Sequence, residues 1–419
     1  MERKINKELL KWRRDASNKP LCLYGPRCVG KTYTIVDFGK KNFTNVVYFN
    51  TKNNELLKEI FVKEKVLQKL IDKLSFYSGE SIFPEDSLII FDNIEDKELL
   101  KLFKIFVNTN YYIAMISSKK EIIQSTKIEE YYYRIMHNMD FEEYLINSDK
   151  TQLVDFIRDS FETGTSMPFH QMALESYYDY LETGGFPEVI LNKLNNSNSI
   201  YLHSIKQHTL DIYKEEYTSL DKTLRCDDIY QSISDQLDKD NKKFQYGVIK
   251  KGARSKDYEE SINTLVSNLI VNRSYKLAPE IKSPLSSSKD VESFKLYYND
   301  VGLLYSKLFV NKNRFMIDED VKRTLIENDV ANTLNNLGYS LYYYQSDGKA
   351  EVQFVIQTKM GKILPIELVN MKLVKAKALS LFMSKYNLED AYRLTENNFK
   401  YEKNIKYIPI YAVFCLNNI

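Results

Sequence analysis

The stretch Leu21-Cys-Leu-Tyr24-Gly25-Pro26-Arg27-Cys28-Val29-Gly30-Lys31-Thr32-Tyr33 decides how this chain is read. A short apolar run of strand character feeds a turn bounded by glycines, and Lys and Thr stand at its exit, where a helix is expected to begin. Glycines let main-chain N–H groups wrap a polyphosphate, a lysine reaches the outer phosphates, and a threonine hydroxyl at a helix N-terminus holds Mg²⁺. Gly25 through Tyr33 is therefore expected to bind ATP or GTP, with Lys31 toward the phosphates and Thr32 toward the metal. Glycine is scarce here, 13 of 419 residues, so chance production of this pattern has odds below about one in a hundred.

Working outward, apolar segments recur at 21–24, 46–49, 88–91, 112–116 and 135–139, separated by polar or helix-periodic stretches. Strands alternating with helices predict a parallel sheet covered on both faces. Ser87-Leu-Ile-Ile-Phe-Asp92 reads as a buried strand ending in a carboxylate, the second element of a nucleotide site, because Asp92 can orient water on Mg²⁺. From 152 to 217 the pattern is helical, broken at Gly184-Gly-Phe-Pro-Glu188, and suggests a lid or connector. Between 219 and 279 a helical pattern leads into Arg273-Ser-Tyr-Lys-Leu, as in a small winged-helix unit. Lys282-Ser-Pro-Leu-Ser-Ser-Ser-Lys289 reads as a linker. Beyond it a helix near 326–337, strands at 339–344, 350–357 and 363–368, a helix near 376–386 and strands near 391 and 410–414 predict a second α/β domain. The expected class is α/β. Its parts are a P-loop core with a parallel sheet (1–150), a helical lid (151–217), a winged-helix-like unit (218–285) and a C-terminal α/β domain (286–419).

Composition narrows the function. A net charge of +2 with 28% charged residues exerts no general pull on nucleic acid or membrane. Cys22, Cys28, Cys226 and Cys415 show no C-x-x-C spacing, and His137, His170, His203 and His208 are scattered. Neither a disulfide framework nor a metal cluster emerges. The opening Met1-Glu-Arg-Lys-Ile-Asn-Lys has no apolar signal region, and no apolar run approaches the roughly eighteen residues a span requires. A cytoplasmic location is expected.

Together these residues resemble a prokaryotic family of AAA-type ATPases with a C-terminal domain of restriction-endonuclease-like fold. The likeness spans nearly the whole chain. It rests on the Gly25-to-Thr32 loop, Leu88-Ile-Ile-Phe-Asp92-Asn-Ile, Ile116-Ser-Ser118, Met139-Asp-Phe-Glu-Glu-Tyr-Leu145, Gly184-Gly-Phe-Pro-Glu188 and Lys295-Leu-Tyr-Tyr-Asn-Asp-Val-Gly-Leu-Leu304, followed by Glu327-Asn-Asp-Val-Ala331, Glu351-Val-Gln-Phe-Val-Ile356 and Ile366-Glu-Leu368. The resemblance implies that the first domain binds ATP with Mg²⁺, that Ser118, following Ser117, senses the γ-phosphate, and that Arg134 is a candidate for an arginine supplied to a neighbouring subunit.

Two departures bear on activity. The family usually carries a Glu after the magnesium-associated Asp as general base, whereas this chain has Asn93, and an amide does not accept that proton. Glu95 and Asp96 stand nearby. In the C-terminal domain the resemblance implies strand and helix acids that hold Mg²⁺; Glu327, Glu351 and Glu367 are present, but the expected strand acid falls on Gln353, for which Glu351 stands in only if the register differs by two residues, and the expected Lys falls on Val369. Neither replaces the missing charge, so cleavage is expected to be lost. Lys372, Lys375, Lys377 and Lys385 with Tyr342, Tyr343 and Tyr344 are candidates for DNA contact. The expected function is an ATP-binding ATPase with slow or impaired hydrolysis coupled to a nuclease-like domain. The alternative is a nucleotide-gated scaffold for a protein partner.

Overall fold

The structure is a computed structural model that describes residues 1–15, 18–120, 122–123, 128–221, 223, 225–312, 318–346, 350–369 and 378–418. The chain divides into two compact units, residues 1–138 with 267–269, and residues 139–266 with 270–419.

In the first unit the apolar runs become five strands: β1 (Leu21–Tyr24), β2 (Asn45–Asn50), β3 (Ser87–Asp92), β4 (Tyr112–Ser117) and β5 (Tyr132–Ile135). All pair in parallel, in the order β2-β3-β4-β1-β5. Every residue of β3 is buried, as a strand covered on both faces must be. Ile89 and Phe91 join a cluster with Phe61, Phe103 and Met115, while Leu88 and Ile90 alternate into another with Trp12, Ile35 and Phe38. The apolar run at 135–139 is not the fifth strand. β1 spans four residues, and its parallel partner aligns Leu21 with Tyr132 and Tyr24 with Ile135, so pairing draws the tyrosine-rich segment before that run into the sheet.

The second unit begins with the expected helices, Phe141–Asn147, Thr151–Thr163, His170–Thr183, Pro187–Leu194 and Ser199–Leu220. The helices Arg225–Leu237 and Ser255–Ser267 then precede β6 (Val271–Leu277) and β7 (Lys289–Tyr298). β8 (Leu341–Gln345), β9 (Glu351–Gln357), β10 (Ile363–Leu368), β11 (Ala391–Thr395), β12 (Lys400–Glu402) and β13 (Ile405–Pro409) complete an eight-stranded mixed sheet, ordered β12-β13-β11-β10-β9-β8-β6-β7.

Two sequence expectations are corrected here. The 282–289 stretch is no linker: β6 and β7 on either side of it pair antiparallel, and Leu285, fully buried, packs with Tyr342, Val352, Leu379 and Phe382. Proline and serine set a turn, but the leucine among them anchors it. β6, the strand expected at the end of the winged-helix-like unit, also pairs with β8 and so lies in one sheet with the C-terminal strands. Residues 410–414 are not a strand either. Pro409 ends β13, lacking the N–H to extend the ladder, and Ile410–Asn418 forms a 3₁₀ segment whose residues 410–416 are all buried.

Two of the quoted motifs meet inside this unit. Gly184 has φ +80°, and a Cβ there would lie 2.4 Å from Asp300 Oδ1, while one on Gly302 would lie 2.5 Å from Thr183 O. Asp300 accepts from Gly185 N at 2.7 Å and from Leu303 N at 3.1 Å. The Gly-Gly break and the Asn-Asp-Val-Gly turn are thus two faces of one close approach that admits no side chain.

Nearby, Asp329 is buried and accepts from the Tyr177 hydroxyl at 2.7 Å. Burial pushes its carboxyl up to about 7, with Asp140 and Asp300 adding repulsion. A folded-state value above the free carboxyl's 3.8 means that the proton's contribution to stability is complete below about pH 4 and is lost as pH rises through about 7. Asp329→Asn keeps the hydrogen-bond acceptor and removes the ionisation. Chemical denaturation should find the variant gaining on the wild type between pH 4 and pH 8; parallel stability profiles would contradict the assignment.

Candidate functional site

The loop leaves the end of β1 and turns into the Lys31–Asn42 helix. Cys28 and Gly30 lie at φ +64° and +89°, the left-handed conformation that turns the chain sharply and that glycine adopts without cost. Gly25 passes so close to the neighbouring chain that a Cβ would stand 2.0 Å from Met136 O. Arg3, which sequence alone does not single out, braces the loop from behind: Nη1 donates to Val29 O and Nη2 to His137 O, each at 2.7 Å.

The side chains at the loop's exit converge. Lys31 is buried, and its ammonium donates to Gly25 O at 2.8 Å and Pro26 O at 2.6 Å, inside the turn. Thr32 Oγ1 donates to Asp92 Oδ2 at 2.6 Å, which ties the helix N-terminus to the end of β3. Tyr33, by contrast, is 62% exposed. Asp92 also accepts from the Tyr48 hydroxyl at 3.0 Å and from Asn93 N at 2.7 Å. Burial, then the Asp92 charge, pushes the Tyr48 phenol up to about 12. Thr51 closes the strand ends by donating Oγ1 to the carbonyls of Asp92 and Asn93, each at 2.9 Å. These features fit Mg²⁺ and a triphosphate: a tight turn bounded by glycines, a cation held against it, and a hydroxyl bonded to a carboxylate beside it.

Residues 17–145 match a family model described as an AAA domain. The first unit carries an AAA-type P-loop domain. Residues 174–314 and 322–413 match two further families, each described as a domain of unknown function (DUF8612 and DUF4143). No curated protein matches the chain. Among solved structures, similarity extends to the RuvB Holliday junction branch migration motor of Thermotoga maritima, at 11% identity and TM-score 0.30, over 65% of this chain and 90% of that one. It also extends to C. elegans PCH-2, at 12% identity and TM-score 0.25 over 38% of this chain, and to a structure of katanin self-assembly, at 14% and 0.22 over 32%. The chain spans only 46% and 45% of these last two. With TM-scores this low, the family match alone carries the domain assignment.

Within the AAA domain the remaining candidates fall as follows. Asn93 has φ +59°, and its amide donates to Asn50 Oδ1 at 3.2 Å. Glu95 pairs with Lys119 at 3.1 Å and Arg27 at 3.5 Å, and Asp96 pairs with Lys58 at 2.5 Å while capping the next helix through Glu98 N. Both nearby acids are therefore occupied. At the end of β4 the engaged serine is Ser117, whose hydroxyl donates to Ile94 O at 2.7 Å and whose carbonyl accepts from Gly25 N at 3.3 Å; Ser118 follows, half-buried. Arg134 lies within β5, bonded to Glu8 at 3.1 Å and stacked on the Tyr132 ring.

In the second unit the three candidate acids do not converge on one point. Glu327 and Glu351 share the ammonium of Lys295, at 3.0 and 2.5 Å. Glu327 also binds Lys242 at 2.8 Å and the Tyr297 hydroxyl at 2.8 Å. Glu367 instead pairs with Arg393 at 2.8 Å. Gln353 ties two strands together, its Oε1 accepting from Leu368 N at 2.9 Å, and Val369 donates its main-chain N–H to Leu394 O at 3.0 Å. No group of three or more acidic, His or Cys side chains placed to hold a metal occurs among the described residues. Tyr342 and Tyr343 are buried, and Tyr344 packs on Phe382 and Tyr386. Stacking on bases from this strand is thereby closed off for the first two tyrosines. Lys372, Lys375 and Lys377 lie outside the described residues, and Lys385 sits over the Tyr344 and Tyr386 rings.

Removing one partner from a buried ion network strands the other charges. Lys295→Met should therefore lower unfolding stability of the second unit by about 3–5 kcal/mol. Denaturant titration checks this, and a loss under about 1 kcal/mol would show that Glu327 and Glu351 do not depend on that ammonium.

Proposed function

We propose that this protein binds ATP with Mg²⁺ in the 25–32 loop and hydrolyses it slowly. What carries the proposal is the convergence of Lys31 inside the turn with Thr32 bonded to Asp92. When bound, Mg²⁺ would be held by Thr32 and through Asp92, and it supplies charge neutralisation on the phosphates and a rigid orientation for them. Lys31 exchanges two carbonyl acceptors for phosphate oxygens of greater charge, a gain that favours leaving its present partners. Asp92 orients without accepting a proton. Slow turnover follows from the place beside it, where Asn93 offers an amide and the two nearest acids are committed to lysines and an arginine.

For the second unit we propose a nuclease-like domain without cleavage. Each candidate acid already has a cationic partner from the chain itself, and the two substituted positions, Gln353 and Val369, serve strand pairing. Burial of Tyr342 and Tyr343 removes the base-stacking support for nucleic acid at this strand, and the partner we propose is a protein. ATP occupancy would then gate that partner. No helix among the described residues is long and apolar enough to cross a membrane.

Two substitutions test the nucleotide assignment. Lys31→Ala should weaken ATP binding by about tenfold or more, since it deletes a charge-assisted contact of about 1.5–3 kcal/mol; an unchanged Kd by calorimetry refutes it. Asn93→Glu restores a proton acceptor and should raise single-turnover hydrolysis of labelled ATP by about 10²-fold. Equal rates in the two proteins would place the deficit elsewhere.

A further inference from the structure

Asp92 carries one more donor than metal-assisted nucleotide binding calls for. Its Oδ2 accepts from Thr32 Oγ1 at 2.6 Å and from the Tyr48 hydroxyl at 3.0 Å, and its Oδ1 accepts from Asn93 N at 2.7 Å. A carboxylate oxygen has about two lone-pair positions, so Oδ2 is filled. The three donors differ in kind. Thr32 gives its proton to Asp92 and keeps its own oxygen lone pairs for a metal. The Asn93 donor is main chain, fixed by the turn at φ +59°. Tyr48 is the exception. It sits on β2, which lies at the edge of the sheet, two residues before Asn50, the register partner of Asp92. There it alternates outward between buried Val47 and Phe49 and is 43% exposed. Neither the strand pairing nor the core clusters of the first unit employ its hydroxyl.

We propose that Tyr48 is a positioning residue whose hydroxyl competes with a metal-bound water for Asp92 Oδ2 and so sets how much Mg²⁺ adds to nucleotide affinity. While the phenol is in place, Asp92 is held toward Thr32 but offers Oδ2 to no further donor. Were Mg²⁺ held beside Thr32, Asp92 Oδ2 would be open to the metal's water donors only as Tyr48 gave that oxygen up. Tyr48 thereby lowers the metal's contribution without contacting the phosphates. This role presupposes that the loop binds ATP.

Four dissociation constants decide it: ATP titrated by calorimetry into wild type and Tyr48→Phe, each in Mg²⁺ and in EDTA. The ratio of the EDTA to the Mg²⁺ constant should rise about tenfold in Tyr48→Phe, the scale of one hydrogen bond to a charged group, with the EDTA constant near that of wild type. Tyr48→Leu, which also deletes the hydroxyl, should raise the ratio likewise, and Thr32→Val, which deletes a metal ligand, should lower it. A ratio unchanged or reduced in Tyr48→Phe overturns the proposal and makes Tyr48 a prop for the carboxylate. Wild type that binds ATP in neither condition overturns the nucleotide assignment itself, a result distinguishable from the first.

Discussion

The hydrogen bond from the Thr32 hydroxyl to Asp92 Oδ2, 2.6 Å long, is the link on which the proposed nucleotide site depends. It joins two elements sixty residues apart, the N-terminus of the helix after β1 and the C-terminal end of β3, although β4 separates those strands in the sheet. Open α/β sheets place ligands beyond the carboxyl ends of their strands. The bond fixes that edge: it brings a hydroxyl, a carboxylate and a buried ammonium to the mouth of one glycine-bounded turn. The constraints behind it are steric. Gly25 has no room for a Cβ against Met136 O, and Cys28 and Gly30 both take positive φ. The turn is therefore sterically constrained, which would reduce the ordering cost of the proposed binding.

The second unit treats charge in the opposite way. Around Asp92 the polar groups sit at a partly open strand end, whereas Lys242, Glu327 and Lys295 are almost wholly buried and satisfy one another, with Glu351 at the margin. A buried network of two cations and two anions is neutral and needs no outside ion, and its worth lies in holding Glu327, Lys295 and Tyr297 in one arrangement. Several polar residues of the C-terminal motifs thus have structural partners: a shared ammonium at Lys295, a strand-bridging amide at Gln353, and the Asp300 clamp on the Gly184-Gly185 turn.

Much of the first unit was legible because its signals are local. A four-residue apolar run, a glycine turn and a Lys-Thr pair occupy one stretch of chain, and Ser87–Asp92 announces a buried strand by continuous hydrophobicity. The misplaced fifth strand shows the limit. The run at 135–139 is apolar for the core, yet the neighbour's length and register selected Tyr132–Ile135. Leu285 misled in the reverse direction, since one buried side chain outweighed the serines around it. Long-range partners left no trace in spacing. Tyr48 meets Asp92 across 44 positions, Arg3 reaches Val29 and His137 across 26 and 134, and Lys295 meets Glu327 across 32. Each is an ordinary residue until the fold delivers its partner. The informative oddities in the sequence were substitutions, neutral amides at Asn93 and Gln353 where the resemblance implies acids and Val369 where it implies a lysine.

Amide hydrogen exchange with and without Mg·ATP tests the central claim most directly, because it reads the main-chain N–H groups that must surround the phosphates. Occupancy of the turn predicts slowed exchange at amides 27–34, strongest where the loop enters the helix, with no equivalent change along β12. Identical exchange over 27–34 at saturating Mg·ATP would contradict it.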